Sequence, residues 1–181
     1  MPSPKSPAMK AYIRKTVQFI GKRDPLKLMA STPARIERAV RGLTAAQFKR
    51  RPGRGKWSIQ EILGHLADTE VVYGWRIRRA LAEPGAPVHG FDQQRWAECF
   101  RYQRTHARAS LAVYRLVRLT TLAAIAAAPR PARKRAAVMH SERGREPFLL
   151  MCKMCAGHDL NHLAQVLAVR KKFGWGARKA R

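Results

Sequence analysis

Gly157-His158-Asp159-Leu160-Asn161-His162-Leu163-Ala164-Gln165 places two histidines four residues apart inside an apolar stretch running from Phe148 to Val169. On a helix that spacing stacks both imidazoles on one face, with Cβ atoms roughly 5–6 Å apart, close enough to reach one metal ion. Glu146-Pro147 in front of the stretch is a helix start, and the helix should end near Lys172, ahead of Gly174-Trp175-Gly176. Two ligands rarely make a site. His65, in the apolar segment Trp57-Ser58-Ile59-Gln60-Glu61-Ile62-Leu63-Gly64-His65-Leu66, is the candidate third.

The segment that carries His65 has its own helix signature. Ser58-Ile59-Gln60-Glu61 is a capping box, in which the serine hydroxyl accepts from the Glu61 amide while the carboxylate reaches back. Ile62, His65, Leu66, Thr69, Val72, Tyr73 and Arg76 then recur at helical spacing, and Glu83-Pro84-Gly85-Ala86-Pro87 ends the helix near Ala82. Upstream, Thr32-Pro33 reads as an N-cap with proline at the first helical position, followed by Ile36, Ala39, Val40 and Leu43. A further long helix is predicted from about His106 to Ala127, with Leu111, Tyr114, Leu116, Val117, Thr121, Ala124 and Ile125 on its buried side. Asp92 caps a short turn of helix at Phe91 to Trp96. Arg51 to Gly55, residues 84–92 and Pro129 to Arg135 read as loops, and Ala137 to His140 as extended or turn-like. No segment alternates apolar and polar residues over a strand length. The expectation is all-α: four main helices in a four-helix bundle over residues 25–172, a flexible basic N-terminal segment 1–24, and a basic C-terminal tail 173–181.

At 181 residues and 46% hydrophobic content the chain can bury one domain-sized core. No apolar run is expected to reach the length of a membrane span, the first residues lack an apolar leader, and three cysteines argue against a disulfide framework, so the cytoplasm follows by default. Lys and Arg number 37 against 11 Asp and Glu, a net charge of +26. Such a surface attracts phosphate polymers without any dedicated site. The basic residues are scattered, however, and no nucleic-acid-binding fingerprint occurs, so only non-specific nucleic-acid binding at low salt is expected.

Three imidazoles from two facing helices can hold a divalent first-row metal and leave coordination positions for water or substrate. The bland reading stands beside this one: a lone histidine on an apolar face is more often a core residue, and a pair at a spacing of four arises often by chance. The polar candidates for supporting the imidazoles are Glu61, Asp68, Glu70, Asp92, Asn161 and Gln165. Cys152 and Cys155 share a stripe with the histidine pair, but ligands spread over three turns of one helix cannot converge on one ion. They read as small apolar packing residues. His89, His106 and His140 read as surface residues. The competing functional class is a basic stress-response or nucleic-acid-binding bundle whose metal is structural or absent.

Gly55 to Glu70 and Ala156 to Gln165, supported by Thr32 to Arg35, Phe91 to Ala97 and His140 to Gly144, resemble the DinB-like family of the DinB/YfiT-like metalloenzyme superfamily. In order and spacing these pieces span about residues 25–170. The resemblance implies an up-down-down-up four-helix bundle and a metal site on His65, His158 and His162, occupied by zinc or nickel. It also implies a homodimer and a small-molecule substrate, with water-dependent hydrolysis or transfer of a low-molecular-weight thiol as the chemistry. The very basic surface and the Cys152/Cys155 pair depart from the family pattern.

Overall fold

A computed structural model describes residues 6–176. Four long helices make the frame: α2 (Pro25–Val40), α4 (Ile59–Ala82), α6 (Ala107–Ala127) and α8 (Phe148–Lys172). Short helices α1 (Pro7–Gln18), α3 (Ala45–Lys49), α5 (Gln93–Cys99) and α7 (Arg130–Arg135) fill the connections, with a single 3₁₀ turn at Tyr102–Arg104.

Two apolar clusters give the helix directions. One joins Leu28 and Met29 at the start of α2, Tyr73 to Ala80 late in α4, Ile125 late in α6, and Met151 to Ala156 at the start of α8. The other joins Ile36 and Val40, Ile59 to Leu66, Ala107 and Tyr114, and Leu163 to Val169. α2 and α8 therefore run one way and α4 and α6 the other, which is the up-down-down-up bundle. The parallel pair α4/α6 needs a long return, and residues 83–106 supply it.

Several local expectations are corrected. α2 starts at Pro25 under an Asp24 cap, not at Pro33: Asp24 Oδ1 accepts from the Leu26 and Lys27 amides at 2.7 and 3.1 Å. Pro33 lies inside the helix, where its ring leaves the Met29 carbonyl without its usual donor. Residues 7–18, expected to be loosely held, form α1, whose Thr16 packs onto α8 at Gly157. The expected loop at 130–135 is α7. The expected C-terminal tail begins ordered, with Arg170 donating to the Trp175 and Gly176 carbonyls at 2.9 and 2.6 Å; residues 1–5 and 177–181 lie outside the described residues.

A three-stranded sheet supplements the helices. β1 (Pro87–Val88) pairs in parallel with β2 (Ala137–His140), which pairs antiparallel with β3 (Gly144–Pro147). Strands of two and four residues are too short to show alternation in sequence; burial of Val88 and Val138 in the first cluster seats the sheet on the bundle. α6 turns its expected side inward, with Leu116 the one residue of that side left exposed. Leu116 and Leu119 are 63% and 65% exposed, whereas Tyr114, Arg118, Thr121 and Ile125 face inward. By length and composition α6 is apolar enough to cross a membrane, against the expectation that no such run exists, yet its inward stripe carries a charged arginine.

Candidate metal centre

The Ser58–Glu61 capping box forms as the sequence predicts and fixes the start of α4. His65 follows two turns in, 1% exposed. Across the bundle, α8 presents His158 and His162. The three Nε2 atoms converge: His65 lies 2.9 Å from His158, and His162 lies 3.1 Å from His158. For a metal–nitrogen bond of roughly 2.0–2.1 Å, ligand nitrogens should be about 2.9 Å apart at right angles and about 3.4 Å apart in a tetrahedron. Both spacings to His158 fall in or close to that window, and the ligand nitrogens of all three lie within 4.8 Å of one another.

The outward-facing nitrogens fit the same reading. With its proton on Nδ1, His162 donates to the Gln165 side-chain oxygen at 3.1 Å, leaving the Nε2 lone pair free. Thr69 Oγ1 lies 3.4 Å from His65 Nδ1. His158 Nδ1 is buried with no hydrogen-bond partner, and Asp159 Oδ1 lies 3.9 Å from it. Burial, and then the charge each imidazole would impose on the next, holds His65 well below the ordinary histidine range. Burial, then His158, brings His162 down to about 3. Both rings are thus neutral, the form that binds a metal. Trp57 walls the site, its ring 5.0 Å from His65 and stacked over His162 at 6.4 Å.

Of the other predicted residues, only Gln165 hydrogen-bonds a histidine. Glu61 accepts from Ser58 and from Arg51, whose Nε is 3.0 Å away. Asp68 accepts from the Tyr102 hydroxyl. Asp92 caps α5, as predicted, accepting from Gln94 and Arg95 amides at 2.9 and 3.0 Å. Asn161 lines the cleft beside His158 and His162. Glu70 is turned away from the imidazoles and toward Arg118. Cys152 is a buried packing residue, its thiol pushed up to about 12 by burial, whereas the buried Cys155 Sγ accepts from Arg118 Nη2 at 3.1 Å.

Two features were not anticipated. Arg118, 1% exposed, joins Glu70 through Nε and Nη2 at 2.8 and 2.5 Å, Asp159 through Nη1 at 2.8 Å, and the Met29 carbonyl at 2.9 Å. Burial opposes ionisation of Asp159, but Arg118 and His158 outweigh it and hold the carboxyl below the usual range. The cluster thus lies directly behind His158. The second feature is His140, read as a surface residue but 2% exposed, with its Nδ1 accepting from the Glu142 amide at 3.1 Å. Its burial comes from the β2–β3 hairpin, which sequence did not define.

Two clefts open on the histidines. One, about 530 Å³, runs past Trp57, Asn161 and Gln165; the other, about 300 Å³, runs past Thr69, Tyr73 and Arg76. A larger hollow of about 720 Å³ touches Trp57 and none of the three histidines.

The chain is similar to known proteins in sequence and fold. A protein of Geobacillus kaustophilus named "Putative metal-dependent hydrolase GK0616" is 24% identical over 143 residues, covering 79% of this chain and 80% of its own. A Bacillus licheniformis protein with the same descriptive name is 26% identical over 148 residues, covering 81% and 84%. Among solved structures, YfiT from Bacillus subtilis, described as "a probable metal-dependent hydrolase with an unusual four-helix bundle topology", has the same fold. It superposes with a TM-score of 0.77 at 20% identity, covering 84% of this chain and 87% of that one. The family model of the DinB superfamily matches residues 28–166, so this chain belongs to that superfamily.

Proposed function

We propose that the protein is a metal-dependent enzyme in which His65, His158 and His162 hold one divalent ion, zinc or nickel, facing a small-molecule substrate. The observation that carries this reading is the convergence of three Nε2 atoms from two helices, at 2.9 and 3.1 Å, on two buried imidazoles and one half-buried one. A divalent ion bound there supplies Lewis acidity, which makes a water or a thiol acidic near neutral pH. The chain's own residues do the rest. Gln165 orients His162, Asp159 faces His158, and Trp57 shields one side from solvent. The two clefts that adjoin at His158 let two parts of a substrate lie beside the imidazoles.

Hydrolysis is the leading chemistry, supported by the names of the relatives; thiol transfer uses the same activation with a different nucleophile. The test is metal content by inductively coupled plasma mass spectrometry on tag-free protein. We expect about one zinc or nickel per chain, lost in His158→Ala/His162→Ala. Metal retained by that variant, or none taken up by the wild type, refutes the assignment. Ester, amide and thiol-transfer substrates then separate the two chemistries.

A further inference from the structure

One face of α4 carries His65, Thr69, Tyr73 and Arg76, and this row floors the smaller cleft. Arg76 is 2% exposed, yet among the described residues no carboxylate lies within ion-pair distance of it. Its Nη2 donates to the His89 carbonyl, its guanidinium lies 5.7 Å from the Tyr73 ring centre, and its Nε is buried without a partner. The other buried arginines are satisfied differently. Arg118 has two carboxylates, Arg143 pairs with Glu146 at 2.9 Å, and Arg170 donates to four backbone carbonyls. A buried cation with one carbonyl and one aromatic face is costly unless something completes it.

The surroundings favour an anion. Arg143 also lines the cleft and leaves its own Nε unpaired, and the buried His140 beside them leaves Nε2 unpaired. Burial, then Arg143 and Arg76, brings His140 down to about 3, so it adds no charge. Arg76, Arg143 and Glu146 therefore leave one net positive charge at the buried end of the cleft. The carboxylates of Glu142 and Asp92 stand at the exposed rim, where water screens them.

We propose that the smaller cleft binds its substrate through a compact oxyanion, a carboxylate or phosphate group, seated on the Arg76 guanidinium. This names the substrate class of the site proposed above and rests on that reading for the word substrate; the anion seat itself does not need the metal. A guanidinium offers the paired donors that such a group accepts. Eleven residues separate Arg76 from His65, about 16 Å along the helix axis at 1.5 Å per residue. That rise separates backbone positions, and the Arg76 side chain leans back toward His65, so the anion and the reacting bond occupy different parts of one substrate.

Calorimetric titration with succinate, inorganic phosphate and uncharged succinamide tests this. Each is run at physiological salt on the protein as purified, after chelation, and on His158→Ala/His162→Ala. Saturable binding of succinate or phosphate, but not succinamide, is expected in all three. Arg76→Met should weaken it about tenfold or more, the scale of one lost charge-assisted contact, and Arg76→Lys less. The tighter of the two anions identifies the group. Unchanged binding in Arg76→Met, no saturable binding, or binding that disappears with the histidines each overturns the proposal. In the last case the anion is a ligand of the metal. Anion binding by a protein that takes up no metal would instead leave the seat standing and remove the metal reading.

Discussion

Arg118→Met is the most informative single change. The guanidinium is the only cation in contact with Glu70 and Asp159 among the described residues, and all three side chains are almost fully buried, at 1%, 2% and 3% side-chain exposure. Methionine preserves volume and removes the charge. Two carboxylates then lie uncompensated in the core, a situation that costs about 3–5 kcal/mol. For a chain of this size each kcal/mol is worth roughly 2–4 °C, so the midpoint of thermal unfolding should fall by about 6–20 °C. The pH dependence identifies the cause. Without Arg118 both carboxyls have folded pKa values raised above their unfolded ones, so the penalty grows as pH rises through and above the carboxylate range and shrinks when they protonate. The deficit, measured by urea unfolding, should be smaller at pH 5 than at pH 8. Adding Glu70→Gln removes one of the stranded charges and should recover part of the loss. A deficit below about 1 kcal/mol, the scale of an exposed pair, or one indifferent to pH, would refute the reasoning.

Two other changes probe the scaffold of the site. A Cβ at Gly157 would sit 2.1 Å from the Thr16 carbonyl oxygen, a backbone atom that cannot swing aside. Gly157→Ala should push α1 off α8 at a cost of about 1–3 kcal/mol, seen as faster amide exchange over residues 7–18; unchanged protection there would contradict this contact. His140 is held at about 3 by burial first, then by Arg143, Arg76 and His89, whereas unfolded it titrates near 6.5. A depressed histidine costs stability as pH falls below the unfolded value, and the loss ends near the folded one. From pH 6.5 to 4.5 this amounts to roughly 2 kcal/mol. His140→Gln should flatten the acid limb of the stability curve by that amount, and an unaltered slope would sink the assignment.

The three histidines were legible because helical spacing alone stacks His158 over His162 and because the Ser58–Glu61 box fixes where α4 begins. Gln165 was legible for the same reason, one turn after His162. Asp159 was not, because adjacent residues on a helix point about 100° apart, which turns it from the imidazole face toward Arg118. Nor was Arg118, since a single arginine in an apolar helix looks like an edge residue until its partners on other helices are known. The start of α2 was misplaced because the cap-then-proline signal occurs twice, at Asp24-Pro25 and Thr32-Pro33, and local pattern cannot rank them.

That second proline turns out to matter for the centre. Pro33 has no N–H, so the carbonyl four residues earlier, Met29, has no helical donor. Arg118 Nη1 fills the vacancy at 2.9 Å while also holding Asp159, the carboxylate that faces His158. A helix irregularity in α2, a cation in α6 and the carboxylates of α4 and α8 thus form one connected set. An apolar core tolerates small slips of one helix along another, but a guanidinium with fixed partners on three other helices does not. His65 and His158 come from different helices and must meet within a few tenths of an ångström to share an ion. The buried charge cluster sets the register on which that meeting depends, and this accounts for a costly polar group lying directly behind the candidate metal centre.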